Sequence, residues 1–337
     1  MQKILVVSTN WFGDALFLFP LLAVLKENFP GSFLAVLSVP RIKGVFQSNP
    51  YVDKIIIYDE KGKQGNLISR LAFIFKLRRQ EFDKAFILKP SLSRSLILKF
   101  AGIKQIIGFD NPKSNWLLRV RVPQPEKPLH KIDYFLTILE YLGLKVSKRR
   151  YEFSPSDKDR DYINSLFSRE KIALNLPLIV INPGGNWLPK RWLPDKFAEL
   201  IKRIKDKFPA NIVITGAGKD RPLADGIIKK SGKDVYNFAG ETSLGQIGAL
   251  MERADIVISA DSGPMHIAAA VGKKVIALFG PTSAQITGPY PPENHIIIQK
   301  DTGCKIPCYD SNCCDYLCMK AISVEEVIEK VQELIKS

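Results

Sequence analysis

The sequence lacks the features that mark secreted and membrane-spanning proteins. No stretch approaches the roughly 18 uninterrupted apolar residues of a spanning helix, since even the segment LILKFAGIKQIIGF contains lysines. The N-terminus MQKILVVSTN has neither the long apolar region nor the small-residue cleavage site of a secretory signal. All five cysteines lie in one tail segment, unlike a secreted disulfide framework. We therefore expect a cytoplasmic protein that is soluble or at most peripheral to a membrane.

The cysteine tail CKIPCYDSNCCDYLC has enough thiols at short spacing for a zinc site. Its cysteines are Cys304, Cys308, Cys313, Cys314 and Cys318. It contains no clean CxxC pair, and no second pair lies at a distance. We favour reduced structural thiols, with a metal site or an oxidation-prone pair as the alternative.

Positive charge is concentrated in the first half of the chain. Of the net charge of +15, residues 1–150 carry +14, from 25 basic and 11 acidic side chains, and the remaining residues carry +1. A field of that sign favours an anionic partner such as phosphorylated lipid, an acidic membrane face or nucleic acid. The alternative is a solvated lysine-rich surface.

Residues 67–79, LISRLAFIFKLRR, combine a broad apolar face with Arg70, Lys76, Arg78 and Arg79. A helix of this composition suits contact with anionic lipid. An ordinary helix that covers a sheet is the alternative interpretation.

Apolar β-rich runs such as KILVVS, FLAVLS, LIVIN and KVIALFG alternate with helical patterns along both halves of the chain, among them one from about Asp14 to Asn28 and one near Leu244–Arg253. Such alternation predicts doubly wound parallel sheets of the α/β class. A chain of 337 residues exceeds what one core usually serves, and the polar stretch VSKRRYEFSPSDKDRD interrupts the pattern. We therefore predict two Rossmann-like domains that face each other across a cleft, over residues 1–160 and 175–321.

The last segment, AISVEEVIEKVQELIKS, predicts an amphipathic helix with Ser323 as N-cap and Glu326 at capping-box spacing. In two-domain proteins such a helix often crosses back to the first domain. We therefore expect residues 322–337 to pack on the N-terminal domain.

Ligands of open α/β sheets bind beyond the carboxyl ends of the strands. The first strand ends at STNWFGDALFLFP, where Gly13 provides a tight turn and Asp14 begins a helix. A carboxylate there is held ionised by the helix dipole, and it can accept a proton from an acceptor hydroxyl. The alternative is that Asp14 only caps the helix.

The first strand of the second half runs into INPGGNWLPKRW. Asn182, Gly184 and Gly185 are predicted to form a turn whose N–H groups approach a phosphate. Lys190 and Arg191 bring two cations to the same loop, which suits a pyrophosphate. The alternative is a generic turn in which the two tryptophans pack on the sheet.

A third loop, in ISADSGPMHIAAAVG, places Asp261, Ser262 and Gly263 between a strand and a helix. Small residues there let a phosphate reach the helix N-terminus, and the Ser262 hydroxyl can donate another hydrogen bond. Asp261 can bind sugar hydroxyls. His266 alone is typical of a buried structural histidine, and its alternative role is that of a donor to phosphate.

Together these loops resemble glycosyltransferase family 9, the ADP-heptose:lipopolysaccharide heptosyltransferases of the GT-B fold. The resemblance covers essentially the whole chain through NWFGD, PGGNWLPKRW, TGAGKD, FAGETSLGQIGALMERADIVISADSGPMHIAAA, LFGPTS and the cysteine tail. Its specific parts are the KRW loop and the DSGPMHIAAA block. The resemblance implies an inverting enzyme that uses no metal and no cofactor, and the sequence offers no DxD pair at this site.

The resemblance also implies roles for individual residues. Asp14 would be the general base, Lys190 would neutralise the donor diphosphate, and Asp220 falls near the family's carboxylate beside the ribose. The residues implied to line the donor phosphates and sugar are Asp261, Ser262, Gly263, Pro264 and His266. The sequence departs from the family pattern just after Asp14, where ALFLFP replaces a polar or Met-rich stretch, and this departure bears on the acceptor.

The partners implied are a nucleotide-sugar donor, ADP-heptose in the first instance, and an anionic lipid-linked saccharide acceptor. Peripheral contact with the cytoplasmic face of the inner membrane follows from such an acceptor, and no nucleic acid is expected. Another nucleotide-sugar donor is the alternative within the family.

Two unrelated functions fit the sequence less well. An NAD(P)-dependent dehydrogenase is disfavoured because the first strand leads into NWFGD and the later GAGKDR lacks the third glycine of GxGxxG. A basic nucleic-acid-binding protein is suggested by the pI of about 9.5. The chain has no recognisable reader module, and its basic excess does not coincide with interleaved aromatic platforms.

Overall fold

The computed structural model describes residues 1–47, 49–147, 149, 151–310 and 312–336. The chain forms two compact units, Met1–Tyr151 and Glu152–Ser337. Each unit has one parallel six-stranded sheet with helices in the connections between strands, so the α/β class and the two Rossmann-like halves are confirmed. Within the described ranges, no helix combines the length and the apolar character needed to cross a membrane.

The first unit has the strand order β3-β2-β1-β4-β5-β6, and every pairing is parallel. Its strands are β1 Lys3–Val7, β2 Phe33–Ser38, β3 Lys54–Ile57, β4 Lys84–Ile87, β5 Gln105–Phe109 and β6 Val120–Val122. Its helices are α1 Phe12–Leu16, α2 Phe19–Asn28, α3 Lys43–Gln47, α4 Leu67–Arg78, α5 Leu92–Phe100 and α6 Lys131–Tyr141. The central strands read as continuous apolar runs because both faces of the sheet are covered.

The predicted single helix from about Asp14 to Asn28 is interrupted in the structure. It forms α1 and then α2, which has Pro20 in its first turn. Proline has no N–H to donate and fixes its own φ, so it starts a new helix more readily than it continues an old one. Trp11 is the N-cap residue of α1, and Asp14 lies in the first turn. The alternative that Asp14 is the N-cap is therefore wrong.

The second unit has the strand order β12-β11-β10-β7-β8-β9, again with parallel pairing throughout. Its strands are β7 Leu178–Asn182, β8 Asn211–Ile214, β9 Tyr236–Asn237, β10 Ile256–Ala260, β11 Val275–Phe279 and β12 Ile296–Gln299. Its helices are α7 Asp157–Arg169, α8 Pro194–Lys207, α9 Arg221–Ser231, α10 Leu244–Arg253, α11 Gly263–Ala270, α12 Ala284–Thr287, α13 Leu317–Lys320 and α14 Val324–Lys336.

The second unit begins earlier than the sequence pattern suggested. Helix α7 starts at a capping box in which the Ser156 hydroxyl accepts from the Asp159 N–H and the Asp159 carboxylate accepts from the Ser156 N–H. Arg160 on α7 donates to Glu252 on α10 at 2.8 Å. Helix α7 thus belongs to the second unit, whereas the predicted limit at residue 160 falls inside it. Of the predicted boundary stretch, Lys148 and Arg150 lie outside the described residues.

The terminal helix α14 packs into the core of its own unit, on α8 and β11. Ile322, Val327 and Val331 are buried in that core, and the indole of Trp192 donates to the Ile322 carbonyl at 3.1 Å. The expectation that residues 322–337 pack on the N-terminal domain is corrected accordingly. The predicted Ser323 cap is confirmed, because its hydroxyl accepts from the Glu326 N–H at 3.1 Å.

Candidate functional site

The second sheet has a topological switch point between β7 and β10. The chain leaves β7 towards β8 on one side, whereas β10 lies on the other side, so the two loops beyond these strands diverge and leave a crevice. Asn182 ends β7, and Asp261 follows directly after β10. The two loops singled out in the sequence therefore lie beside each other at the switch point of this sheet.

Asn182 joins these two loops. Its buried side-chain amide donates to the Ser262 hydroxyl at 2.8 Å and to the Ser259 hydroxyl at 3.1 Å. The two serine hydroxyls are themselves 3.1 Å apart, and Ser259 donates to the Ala260 carbonyl. The predicted Asn182 therefore positions the loop after β10 directly through Ser262. It also contacts Ser259 in β10, a residue that sequence reasoning did not identify.

Lys190 and Asp261 form an ion pair, with 2.6 Å between the Lys190 Nζ and the Asp261 Oδ2 atoms. The Thr282 hydroxyl donates to the same carboxylate oxygen at 2.6 Å, and His266 Nε2 lies 3.9 Å from the other oxygen. The Asp261 carboxylate is buried, so losing its hydration is costly unless it is paired and hydrogen-bonded. Lys190 and Thr282 supply those contacts.

Arg191 and Asp220 brace the glycine-rich turn after β7. The Arg191 guanidinium donates to the Gly185 carbonyl at 2.8 Å and to Asp220 Oδ1 at 3.2 Å. The second oxygen of the Asp220 carboxylate accepts from the Ala217 N–H at 3.1 Å. A Cβ at position 184 would lie 2.8 Å from the Asp220 Cγ atom, so Gly184 lets this carboxylate approach the turn. A role for Asp220 beside a ribose stays a prediction.

Helix α11 begins at Ser262 and Gly263, with Pro264 in its first turn. The Ser262 side chain makes no capping hydrogen bond to the helix, because its hydroxyl takes part in the contacts with Asn182 and Ser259. The N-terminal amides of a helix, together with its dipole, favour an anion. His266, one turn further on, is buried, as is typical of a structural histidine.

In the first unit, the corresponding switch point lies between β1 and β4. Gly13 and Asp14 lie on α1, which follows β1, and both are partly buried. From α5, which follows β4, Arg94 donates to the Ser8 carbonyl at 2.6 Å and contacts the Asn10 side chain. Burial lowers the pKa of the Arg94 guanidinium, an effect that Glu60 and Tyr58 oppose.

A second arginine supports the loop that precedes α1. Arg41 donates to the Asn10 carbonyl at 2.8 Å, and its guanidinium lies 4.5 Å from the centre of the Trp11 ring. Sequence reasoning missed Arg41 and Arg94. Both follow the carboxyl end of a strand adjacent to β1, so the rule that identified Asp14 would have found them once the strand order was known.

The cysteines of the tail are free thiols. Cys304 and Cys314 are exposed, whereas Cys318 is buried. Burial raises the pKa of the Cys318 thiol. In the part of the chain that the structure describes, no three His, Cys, Asp or Glu side chains are grouped as a metal ion requires.

We expect Thr282→Val to lower the free energy of unfolding by about 1.5–3 kcal/mol, the usual contribution of a hydrogen bond to a buried charged group. The valine removes the hydroxyl that Asp261 accepts from but keeps the shape of the side chain. Thr282→Ser is the matched control, because it retains the hydroxyl and loses one methyl group. Urea denaturation measures both, and equal stability of the valine and serine variants would contradict the assigned contact.

The family comparison and the similar sequences agree with each other. The family described as glycosyltransferase family 9 (heptosyltransferase) matches residues 70–315. The chain is 26% identical over 301 residues to lipopolysaccharide heptosyltransferase 2 of Escherichia coli, covering 86% of this chain and 85% of that one. It is 27% identical over 346 residues to lipooligosaccharide heptosyltransferase 2 of Campylobacter jejuni, covering 100% and 99% of the two chains.

Solved structures show the same fold. A family 9 glycosyltransferase from Veillonella parvula superposes with a TM-score of 0.88 at 23% identity, over 100% of this chain and 98% of that one. The ADP-heptose heptosyltransferase II of E. coli superposes with a TM-score of 0.79 at 23% identity, over 99% and 98%. The predicted GT-B type of fold is thereby confirmed.

Proposed function

The chain belongs to glycosyltransferase family 9, the heptosyltransferase family, and from this premise we propose that it transfers a heptose from ADP-heptose to an inner-core acceptor of lipopolysaccharide. Membership of the family makes the protein a glycosyltransferase. The proposed acceptor is supported by the names of two relatives, a lipopolysaccharide and a lipooligosaccharide heptosyltransferase. The proposed donor is supported by the solved structure of the E. coli ADP-heptose heptosyltransferase II. The predicted family and class of enzyme are confirmed.

The observation that carries the proposal is the Lys190–Asp261 pair beside the first turn of α11. A lysine ammonium has three N–H donors, so one can bind Asp261 while the others bind phosphate oxygens. Asp261 and Thr282 hold the ammonium in place before a donor arrives. We therefore assign Lys190 and the amides of Gly263 and its neighbours to the donor diphosphate.

The remaining predicted donor residues act around this centre in the proposal. Asn182 positions Ser262, whose hydroxyl lies at the helix start. Arg191 and Asp220 shape the turn that contains Gly184 and Gly185, so their effect on the donor comes through that turn. Pro264 and His266 remain proposed neighbours of the donor.

The proposed chemistry is a single displacement at the anomeric carbon. The acceptor hydroxyl oxygen bonds to that carbon while the bond from the carbon to the diphosphate oxygen breaks, and the electron pair leaves with ADP. Asp14 takes the hydroxyl proton as general base. Lys190 and the α11 amides stabilise the negative charge on the departing diphosphate. One displacement inverts the anomeric configuration, and the proposed steps require neither a metal nor a cofactor.

We propose that the reaction takes place in the cytoplasm, where a nucleotide-sugar donor is available, and that the acceptor is anchored in the inner membrane. The positive charge of residues 1–150 suits an acceptor with anionic groups. Peripheral contact of the enzyme with the cytoplasmic face of that membrane follows from such an acceptor.

Calorimetric binding of ADP, UDP and GDP to the full chain tests the donor. We expect ADP to bind at least about tenfold more tightly than the other two, a difference of about 1.4 kcal/mol. Thermal shift at equal nucleotide concentration gives an independent ranking, because a ligand stabilises the folded state according to its affinity. Preference for UDP or GDP would replace ADP-heptose by another nucleotide sugar, and failure of all three to bind would reject the assigned site.

A further inference from the structure

Helix α4 presents an apolar face to solvent. The exposed fractions of Leu67, Ile68, Leu71 and Phe75 are 71%, 82%, 47% and 62%. Their spacing of three, four and seven residues places them on one side of the helix. We call these four side chains the outer face of α4. Large apolar side chains grouped in this way are uncommon on a soluble surface and indicate an interaction site.

Helix α4 is held in place by packing on its inner side and by a cap at its N-terminus, so the exposure of its outer face does not result from poor packing of the helix. Phe73 and Leu77 on the opposite side are buried in the core of the first unit. The Asn66 side chain caps the helix by accepting from the Ser69 N–H at 2.9 Å. The sequence-level alternative, a helix that covers the sheet, therefore describes only the inner side of α4.

Cations surround the outer face. Lys61 and Lys63 precede the helix, and Lys76, Arg78 and Arg79 lie at its end, all of them exposed. Residues 61–80 contain no aspartate or glutamate. Among the ion pairs of the described residues, none engages these five cations. An apolar stripe with cations at both ends is therefore available to a partner that is apolar within and anionic at its surface.

The end of helix α5 lies near the end of α4. The side chain of Arg78 lies beside Gly102, which follows the end of α5. Phe100, at the last turn of α5, is 64% exposed. Arg78 therefore lies near the end of α5, the helix whose last turn has the exposed Phe100.

We propose that the outer face of α4 docks on an anionic lipid bilayer. Its apolar side chains enter the boundary between headgroups and acyl chains, while the five cations contact lipid phosphates. This inference deepens the proposed function, because an enzyme with a membrane-anchored acceptor works at such a surface. The biological role of this contact rests on the proposed function. The evidence for the contact does not, because the exposed residues and the charges belong to the first unit alone.

A second copy of the chain is a poorer occupant of the same surface. A symmetric dimer contact brings each patch against itself. Because residues 61–80 have cations at both ends and no acidic residue, either orientation of two such segments would bring like charges together. A lipid surface supplies the opposite charge.

The test is flotation of the full-length protein with two kinds of vesicle, phosphatidylcholine alone and phosphatidylcholine with about one third phosphatidylglycerol. We expect binding to the anionic vesicles that weakens in high salt, and little binding to the neutral ones. The double variant Ile68→Ser/Phe75→Ser should lower partition to the anionic vesicles by about tenfold or more. The double variant Arg78→Ser/Arg79→Ser should lower partition to the anionic vesicles by about tenfold and make it less sensitive to salt, because two of the five cations are lost.

Leu174→Ser is the matched control, because Leu174 is 70% exposed but lies in the second unit. It should bind vesicles like the wild type. Equal flotation of the Ile68→Ser/Phe75→Ser variant and the wild type would overturn the proposal, as would equal binding to neutral and anionic vesicles. A wild-type dimer that dissociates in this variant would also overturn it and would assign the face to a second copy.

Binding of ADP, measured on the same samples, separates this inference from the proposed function. Loss of vesicle binding with ADP binding intact identifies α4 as a membrane contact outside the donor site. Absence of flotation by a wild type that binds ADP rejects the membrane face and leaves the proposed function standing. If the wild type floats with anionic vesicles but binds no ADP, the membrane contact is supported and the proposed donor site is rejected.

Discussion

Replacing Asp14 by asparagine is expected to lower the rate of heptosyl transfer by about 10²–10⁴-fold, the usual contribution of a general base. Asparagine has nearly the same shape but cannot accept the proton of the acceptor hydroxyl. Affinity for ADP should stay within about twofold, because a group that acts only in the transition state affects turnover and leaves donor binding unchanged. Turnover with ADP-heptose and calorimetry with ADP measure the two effects separately.

Glu126→Gln is the control for Asp14→Asn. Glu126 is an exposed carboxylate between β6 and α6, so this variant removes one negative charge from the first unit at a position outside α1. Its turnover should match that of the wild type. If Asp14→Asn retains most of the wild-type turnover, the carboxylate only supports the first turn of α1, and another group must remove the proton.

Replacing Lys190 by methionine is expected to have the second large effect, a loss of about 10²–10³-fold in turnover. Methionine keeps the apolar stem but has no charge to place beside the leaving diphosphate. It also leaves the Asp261 carboxylate buried without its cation. We expect the free energy of unfolding to fall by about 3 kcal/mol, at the lower end for buried pairs, because the Lys190 side chain is 26% exposed.

The double variant Lys190→Met/Asp261→Asn separates the two effects of Lys190. A neutral amide at position 261 needs no cation and can still accept from Thr282, so much of the lost stability should return. Turnover should stay low, because the positive charge is still missing. Recovery of turnover in the double variant would mean that Lys190 serves only to neutralise Asp261, and its assignment to the diphosphate would be withdrawn.

Several elements of this fold could be predicted because they depend on local pattern. The runs KILVVS, FLAVLS, LIVIN and KVIALFG are strands in the structure, and the helix predicted over Leu244–Arg253 has those bounds. Buried parallel strands read as continuous apolar runs, and helices as a period of 3.6 residues. The edge strands β6 and β12 were not predicted from the sequence.

Terminal helix α14 shows the limit of such patterns. Its apolar face and its Ser323 cap were evident, but its partner was assigned to the other unit. The hydrophobic period predicts which side of a helix is buried, but it does not predict the core against which that side packs. The interruption between α1 and α2 is the opposite case, because it could have been predicted from the sequence. Pro20 lies in the first turn of α2, and the effect of a proline on the backbone is local.

For the candidate site too, the sequence predicted one part and only the structure shows the other. From the sequence came the chemistry of each loop: a carboxylate near a helix start, a glycine-rich turn with two cations, and small residues ahead of α11. None of this tells which side chains meet. Asn182 and Ser262 are 80 residues apart in the chain, and Lys190 and Asp261 are 71 apart.

The sequence alone thus determined the class of fold, the family motifs and the loops in which chemistry occurs, because each depends on residue type and on spacing within a few turns or strands. The tertiary structure decided which of those residues share a contact. The order of the strands set β7 between β10 and β8, and β1 beside β4. That order, which no local period encodes, turned Lys190 towards Asp261, Arg191 towards Asp220 and Arg94 towards the loop before Asp14.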